Sequence, residues 1–318
     1  MLTIPRPLAD PLRNRSGTYV RDLLLDLTAY LDTFSPDDLD TVVRWYQGFC
    51  PPNACRLYMI EDNTVFDSVA NPALLTKSGV AARQAGDPLP FLASQRARIT
   101  QGRRFSVQLW DGAQTGAWSL VVRAAHRRDT GWHPFIRLMV PVTSDPDTLV
   151  TAARYWADQL PIRSGHGAIT FTYDPWFLDR AFNDIYALAK RFWGVEVEYL
   201  NGTLPLMTDR VKSVAWLTLL GKQFTSQSTI AADLTAVARR DARITVETRA
   251  RATILKIGDE PVVGDQNRPD ASLDGYYALA SALEPVLLDD HPDFPGAFVN
   301  TADTAGWIRR FIDPKGWR

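Results

Sequence analysis

An apolar segment followed directly by the start of a helix occurs twice in this chain, and this pattern constrains the fold most. After segment 19–31 comes Ser35-Pro-Asp-Asp, which combines a helix-capping serine, a proline suited to the first helical position and two acids in the first turn. Segment 135–142 is likewise followed by Ser144-Asp-Pro-Asp. We therefore predict a buried strand at 135–142 and helices from 35 to about 49 and from 144 to about 160.

Segment 19–31 fits two periodicities. Apolar residues at 23, 25, 27, 29 and 31 alternate as in a strand, whereas those at 20, 23, 24, 27 and 31 share a helical face. We interpret it as a strand because a helix start follows. The two helices also align, Leu39-Asp-Thr-Val-Val-Arg-Trp-Tyr on Leu149-Val-Thr-Ala-Ala-Arg-Tyr-Trp. This is a weak indication of internal duplication, and chance similarity of two amphipathic helices explains it equally well.

The remaining pattern predicts an α+β fold with mixed, partly antiparallel sheets and packed helices. Runs 105–110 and 117–125 flank a glycine-containing loop and predict a hairpin that continues into strand 135–142. A helix is predicted at 175–193, with Gly194 ending it. Further helices are predicted at 89–99, 229–239 and 272–287. Further strands are predicted at 167–173, 243–249 and 251–257, and additional elements at 195–200 and 211–220. We divide the chain into an N-terminal arm (1–16), an N-terminal α+β lobe (17–143) and a C-terminal α+β lobe (144–318), with one continuous domain as the alternative.

Composition excludes several classes of protein. With 318 residues, 35 Lys and Arg against 36 Asp and Glu, the chain has a formal charge of −1, which argues against coating nucleic acid or an anionic membrane. The first residues lack the pattern of a signal peptide, and no apolar stretch is long enough to span a bilayer, so the cytoplasm is the expected compartment. No nucleophile elbow, Walker A loop, His-Glu-x-x-His motif or Rossmann fingerprint is present. Cys50 and Cys55 are interpreted as reduced thiols, because no second Cys or His pair completes a zinc site.

Acidic residues are the main candidates for chemistry. Glu196 and Glu198 are two positions apart, which places both on one face of a strand. There they could bind a metal or act as acid and base, but the solvent face of an edge strand has the same pattern. Residues 77–129 contain nine Lys or Arg and three Asp, a net charge of +6, whereas residues 258–304 contain ten Asp or Glu and one Arg, a net charge of −9. This asymmetry is either an unevenly charged solvated surface or an acidic face that fits a basic partner.

Four stretches together resemble the type VI secretion immunity family. They are Arg191-Phe-Trp-Gly-Val-Glu-Val-Glu, Val211-Lys-Ser-Val-Ala-Trp-Leu-Thr-Leu-Leu-Gly, Ile257-Gly-Asp-Glu-Pro-Val-Val-Gly-Asp-Gln-Asn-Arg and the helix at 276–283. The resemblance covers about 140–290, and it departs after Gly221, where the family often has paired glycines and this chain has Lys222-Gln-Phe-Thr. It implies a cytoplasmic, non-enzymatic protein without cofactor that binds and neutralises a toxic effector encoded by a neighbouring gene. Some relatives pair with restriction-type nucleases, so the resemblance favours a nuclease toxin, with no direct contact to nucleic acid or membrane.

The resemblance also sorts the candidate residues. The motif residues are interpreted as scaffold: Trp216 and its leucines as core, and the segment 264–268 as a turn in which Gly allows positive φ and Asp and Asn bond the backbone. These motif residues are Trp216, Gly221, Gly264, Asp265, Asn267 and Arg268. An acidic patch suits the cationic surface that a nuclease presents to phosphates. The candidate partner-binding residues are Asp259, Glu260, Asp289, Asp290, Asp293 and Trp307. Trp307 and Trp317 are the candidate aromatic anchors of such an interface.

The residues also allow two alternative functions. One is a metal-dependent hydrolase that uses Glu196, Glu198 and Asp265, and the other is an adaptor within a secretion machine. For Trp307 and Trp317, packing onto the body of the protein is the alternative to contact with a partner.

Overall fold

The computed structural model describes residues 2–318 apart from 53, 55–56, 62–82, 85–88, 95, 102–104, 112–117, 125–131, 269–271 and 299. Cys55, most of the glycine-containing loop predicted between 110 and 117, and much of the basic segment 77–129 therefore lie outside the described residues. Within them, no helix is both long enough and apolar enough to cross a bilayer.

A central, largely antiparallel sheet organises the fold, and together with the helices it confirms the predicted α+β class. Its strands are β1 (Leu12–Arg13), β2 (Tyr19–Leu31), β3 (Leu57–Glu61), β4 (Arg83–Gln84), β5 (Phe105–Trp110), β6 (Ser119–Ala124), β7 (Phe135–Pro141), β8 (Ile162–Tyr173), β9 (Glu196–Val197), β10 (Leu217–Gly221), β11 (Ile244–Thr248) and β12 (Ala252–Ile257). Across the described residues they follow the order β11-β12-β10-β8-β2-β7-β6-β5-β3-β4, with β1 beside β2 and β9 parallel to β8. Strands from both predicted lobes thus share one sheet, and the division of the chain into lobes stays a prediction.

Strand β2 lies at the centre of this sheet, and its interpretation as a strand is confirmed. It pairs antiparallel with β7 on one side and with β8 on the other. All of its residues from 23 to 31 are buried, on both faces of the sheet. Burial on both faces explains why the segment is almost continuously apolar and fits a helical as well as a strand periodicity.

Helices cover the sheet and confirm most of the predicted pattern. The predicted helix at 175–193 consists of a 3₁₀ turn (Pro175–Phe177) and the α-helix Leu178–Arg191. Hairpin β5–β6 and its continuation into β7 are present as predicted. The α-helices are α1 (Arg6–Ala9), α2 (Pro36–Phe49), α3 (Leu89–Ser94), α4 (Arg96–Thr100), α5 (Asp147–Gln159), α6 (Leu178–Arg191), α7 (Leu200–Thr203), α8 (Lys222–Thr225), α9 (Ser228–Arg240), α10 (Asp274–Leu283), α11 (Thr301–Ile308) and α12 (Pro314–Trp317).

The two strand–helix units that align in sequence lie next to each other. Strands β2 and β7 are antiparallel neighbours, and the ring of Trp45 on α2 stacks on that of Tyr155 on α5, with centroids 5.3 Å apart. These two residues occupy equivalent positions in the sequence alignment. A contact between equivalent residues is what a two-fold axis between two copies of one unit would produce. The helix starts differ, because Ser35 forms a capping box with Asp38, whereas α5 begins only at Asp147 without a side-chain cap.

Gly194 serves a different purpose from the predicted one. Helix α6 already ends at Arg191, and Gly194 does not have the positive φ of a helix-terminating glycine. A Cβ atom at this position would lie 2.0 Å from the carbonyl oxygen of Val262. Gly194 is therefore required for the close approach of two backbone segments, which also form a hydrogen bond from its N–H to Val263 O at 3.0 Å.

Candidate functional site

Glu196 on β9 and Glu198, directly after this strand, are buried in the interior of the protein. Glu196 and Glu198 lie on one face, as predicted, but both side chains are only 1% exposed, so the strand is not a solvated edge. The Nζ atom of Lys212 lies 3.0 Å from a carboxylate oxygen of each glutamate. It also donates a hydrogen bond to Val197 O at 2.8 Å. The position that a metal would take between the two carboxylates is thus taken by an ammonium group.

Further polar side chains complete this interior cluster around Glu196 and Glu198. A guanidinium nitrogen of Arg310, from the C-terminal region, lies 3.2 Å from Glu196. On the other side, His166 Nε2 on β8 lies 2.9 Å from a carboxylate oxygen of Glu198. Two carboxylates therefore face the two permanent cations Lys212 and Arg310, and the buried charges balance, as buried ions require.

Electrostatics keep these glutamates ionised. Burial alone would raise the pKa of both carboxyl groups, but Lys212 together with neighbouring cationic and hydrogen-bonding groups lowers both below the ordinary value. Burial opposes the charge of Lys212, yet its two glutamate partners raise its pKa. At neutral pH both carboxylates are therefore ionised and paired with buried cations.

A buried histidine extends the cluster on the side of Glu198. Thr203 Oγ1 lies 3.3 Å from a carboxylate oxygen of Glu198 and 3.0 Å from Nε2 of His291. Burial lowers the pKa of His291 to about 4, so its ring is neutral at physiological pH. A second buried pair, Asp26 with Arg137, joins the adjacent central strands β2 and β7.

Asp265 does not join the two glutamates. Its carboxylate accepts two hydrogen bonds from the Arg191 guanidinium, both at 2.8 Å, and a third from Asn267 N at 3.0 Å. Among the residues that the structure describes, no group of three or more His, Cys, Asp or Glu side chains is arranged to hold a metal ion. Asp265 is thus held by Arg191, whereas Glu196 and Glu198 share Lys212, and the expected convergence of the three carboxylates is not found.

The segment 264–268 forms the turn that its sequence indicates. Gly264 has φ of 63°, and Trp193 N donates to its carbonyl oxygen at 3.1 Å. The guanidinium of Arg268 lies 3.9 Å from a carboxylate oxygen of Asp265. Trp216 is fully buried. At Gly221, where β10 passes into α8, an added Cβ would lie 2.3 Å from the carbonyl oxygen of Ile162.

The acidic segment 258–304 is partly neutralised by arginines and lysines from other parts of the chain. Asp289, 60% exposed, lies 3.3 Å from Arg210 and 3.2 Å from Arg309. Asp290 and Asp293 are exposed on the same loop. The net charge of a sequence segment therefore overstates the charge of the surface that it forms.

Asp259 and Glu260 occupy a different place, at the rim of an open groove. Both are exposed and follow Gly258, whose φ of 68° turns the chain at the end of β12. The groove has a volume of about 390 Å³. It is lined by Arg243, Ile257, Gly258, Asp259, Glu260, Val262, Ser272, Gly275 and Tyr276.

Trp307 and Trp317 are core residues, as the packing alternative expects, and the interpretation of these two residues as surface anchors is wrong. Both side chains are 0% exposed, and their rings meet edge to face at 5.5 Å. The guanidinium of Arg310 lies 3.6 Å above the ring of Trp307, and Trp317 Nε1 donates to Ala189 O on α6. The C-terminal segment packs onto the body through these rings, so neither tryptophan is available to a partner.

Several residues that matter here were not identified from the sequence. Lys212 is a lone charge in the apolar run Val211-Lys-Ser-Val-Ala-Trp, which is a usable signal for a buried ion. Arg310 is 114 positions from Glu196, and no local pattern indicates that pairing. Among the described residues, the exposed large hydrophobic side chains are Trp176 (70%), Val246 (38%) and Val262 (37%), and only the fold shows that Val262 lies in the groove.

Comparisons with known proteins identify a family and a similar fold. The model of the TsiV family, described as type VI immunity for VRR-NUC, matches residues 79–311. No curated protein matches the sequence. Among solved structures, the fold is similar to that of a Pseudomonas aeruginosa T6SS protein, PA0821, with a TM-score of 0.74 and 15% identity over 98% of this chain and 91% of that one.

Proposed function

This chain belongs to the TsiV family of type VI immunity proteins for VRR-NUC, and we propose that it protects the producing cell by binding and neutralising a cognate nuclease effector. The observation that carries the proposal is the family match over 79–311, which includes the buried ionic cluster and the groove. The effector is expected to be the product of a neighbouring gene. Inhibition in the cytoplasm fits this role, because the nucleic acid of the producing cell is there.

We propose that protection results from binding and not from catalysis. The carboxylates that would serve a hydrolase are engaged in ion pairs with Lys212, Arg310 and Arg191. The exposed acidic side chains suit contact with a nuclease, because a nuclease must present cationic groups to phosphates. If divalent cations bound at a real site, they would raise the unfolding temperature of the protein. We expect no such rise.

Co-expression with each adjacent gene tests the proposal directly. Expression of the effector alone should stop growth, and co-expression with this chain should restore growth and yield a complex that co-purifies. Restored growth without a co-purifying complex would contradict neutralisation by binding. If this chain does not restore growth with any neighbouring gene product, the immunity role is contradicted. The adaptor alternative predicts that deleting the gene abolishes secretion, whereas an immunity protein's deletion causes self-intoxication only while the effector gene is present.

A further inference from the structure

The groove at the end of β12 combines an apolar floor with an acidic rim. Its floor contains Ile257 at the end of the strand and Tyr276 in the first turn of α10. Gly275 lets this turn approach the strand, because an added Cβ would lie 2.6 Å from Ile257 Cγ2. Val262 is the exposed part of this apolar surface, at 37%. The exposed part of Val262 is therefore an apolar surface that a partner side chain can bury.

The rim carries negative charge that the protein itself neutralises only weakly. The carboxylate of Asp259 is fully exposed and lies 3.8 Å from Lys256, a contact that solvent screens. No ion pair of Glu260 is found among the residues that the structure describes. The cation of the groove, Arg243, is already engaged by Asp241 at 2.7 Å and lies 3.7 Å from Asp274. A free cation brought to this rim therefore meets two carboxylates and little competition.

We propose that this groove receives an arginine or lysine side chain from the cognate nuclease effector. The inference rests on the proposed function and specifies the surface and the chemistry of the contact. The long aliphatic stem of such a side chain covers Val262 and Ile257 while its charged end reaches Asp259 and Glu260. A nuclease offers these side chains where it holds phosphates, so filling the groove would remove a cation from the nucleic-acid surface of the effector.

Charge reversal with a matched control tests the acidic rim. D259K/E260K is compared with D290K/D293K, because both double variants change the net charge equally and all four residues are exposed. Both variants should slow association at low salt through long-range steering. We expect D259K/E260K, in addition, to speed dissociation and to raise Kd by about tenfold or more at physiological salt, whereas the control stays within about threefold.

The reversal of Asp289 is left out of this control for a structural reason. Asp289 lies between Arg210 and Arg309, so a lysine there would face two like charges. Such a variant would report on the local fold as well as on binding. The circular dichroism spectrum and thermal midpoint of each variant are measured first, and variants with exposed changes are expected to match the wild type.

A second matched pair tests the apolar floor. V262S in the groove is compared with V246S on edge strand β11, because the two valines are almost equally exposed at 37% and 38%. We expect V262S to raise Kd by about three- to tenfold, since it removes the apolar surface that the partner covers, and V246S to leave Kd unchanged.

The outcomes separate this inference from the function on which it rests. If the wild-type chain binds no neighbouring nuclease, the proposed function fails before the groove is tested. If the wild type binds, but D259K/E260K and D290K/D293K have the same dissociation rate and V262S equals V246S, the groove is not the contact surface. Faster dissociation of D259K/E260K and weaker binding of V262S, each relative to its matched control, support the proposal.

Discussion

Two pairs of carboxylates in this molecule have opposite environments. Glu196 and Glu198 are 1% exposed and share the ammonium group of Lys212, whereas Asp259 and Glu260 lie exposed at the rim of a groove. Both pairs are short acidic motifs next to strands, and the sequence offered a functional interpretation for each. The buried pair is thus engaged in contacts within the fold, whereas the exposed pair is accessible to another protein.

The fold explains the difference in position. Strand β9 is parallel to β8, next to the middle of the sheet, so its polar side chains must find partners inside the protein. The acidic pair 259–260 instead follows strand β12, second from one edge, after a glycine turn.

Removing the central cation should have the largest effect on stability. K212M leaves Glu196 and Glu198 buried and facing each other without their shared ammonium group, and we expect the free energy of unfolding to fall by about 3–5 kcal/mol. K256M is the matched control, because Lys256 has only a screened contact with exposed Asp259, and it should have no measurable effect. Urea denaturation measures both variants. Equal effects would show that the interior cluster is not a stabilising unit.

Tryptophans allow the same contrast between interior and surface. Trp307 forms one wall of the cluster beneath Arg310, so W307A should lower the free energy of unfolding by about 3–5 kcal/mol. Trp176 is 70% exposed, and W176A should leave the thermal midpoint unchanged. Thermal unfolding measures both, and a stable W307A would contradict the position of the C-terminal segment.

Acid should destabilise the interior cluster in two steps. His291 has its pKa lowered to about 4, so between about pH 6.5 and 4 the unfolded chain binds the proton that the folded chain excludes, and stability falls by up to about 3 kcal/mol as pH decreases. The pKa values of Glu196 and Glu198 are lowered as well. Their contribution is therefore present above their unfolded pKa of about 4.3 and is lost below it.

Unfolding free energies measured from pH 7 to pH 4 test the histidine step. H291Q should flatten the slope between pH 6.5 and 4, because no proton is then taken up on unfolding at this position. D259N/E260Q should keep the wild-type slope, since its groups lie outside the cluster. An unchanged slope in H291Q would assign the acid sensitivity to other groups.

How much the sequence could predict depends on whether the relevant interaction is local. The central strand and the helix after Ser35 follow from alternation and capping, which involve neighbours in the chain. The partners of Glu196 do not, because Lys212 and Arg310 reach it only through the fold. Two equally acidic motifs are therefore indistinguishable until burial is known. Likewise, tryptophan is a residue type that often anchors interfaces, but Trp307 lies in the core.

The smallest expected effect on stability belongs to the groove. D259N/E260Q removes both charges with almost no change in shape, and because both side chains are exposed, the thermal midpoint should stay at the wild-type value. The effector should nevertheless dissociate faster from this variant, and added salt should weaken its binding less than that of the wild type, because fewer charges attract the partner. Titration at several salt concentrations measures this. A lower thermal midpoint with unchanged binding would mean that these carboxylates serve the fold, and the contrast with Glu196 and Glu198 would then be one of degree.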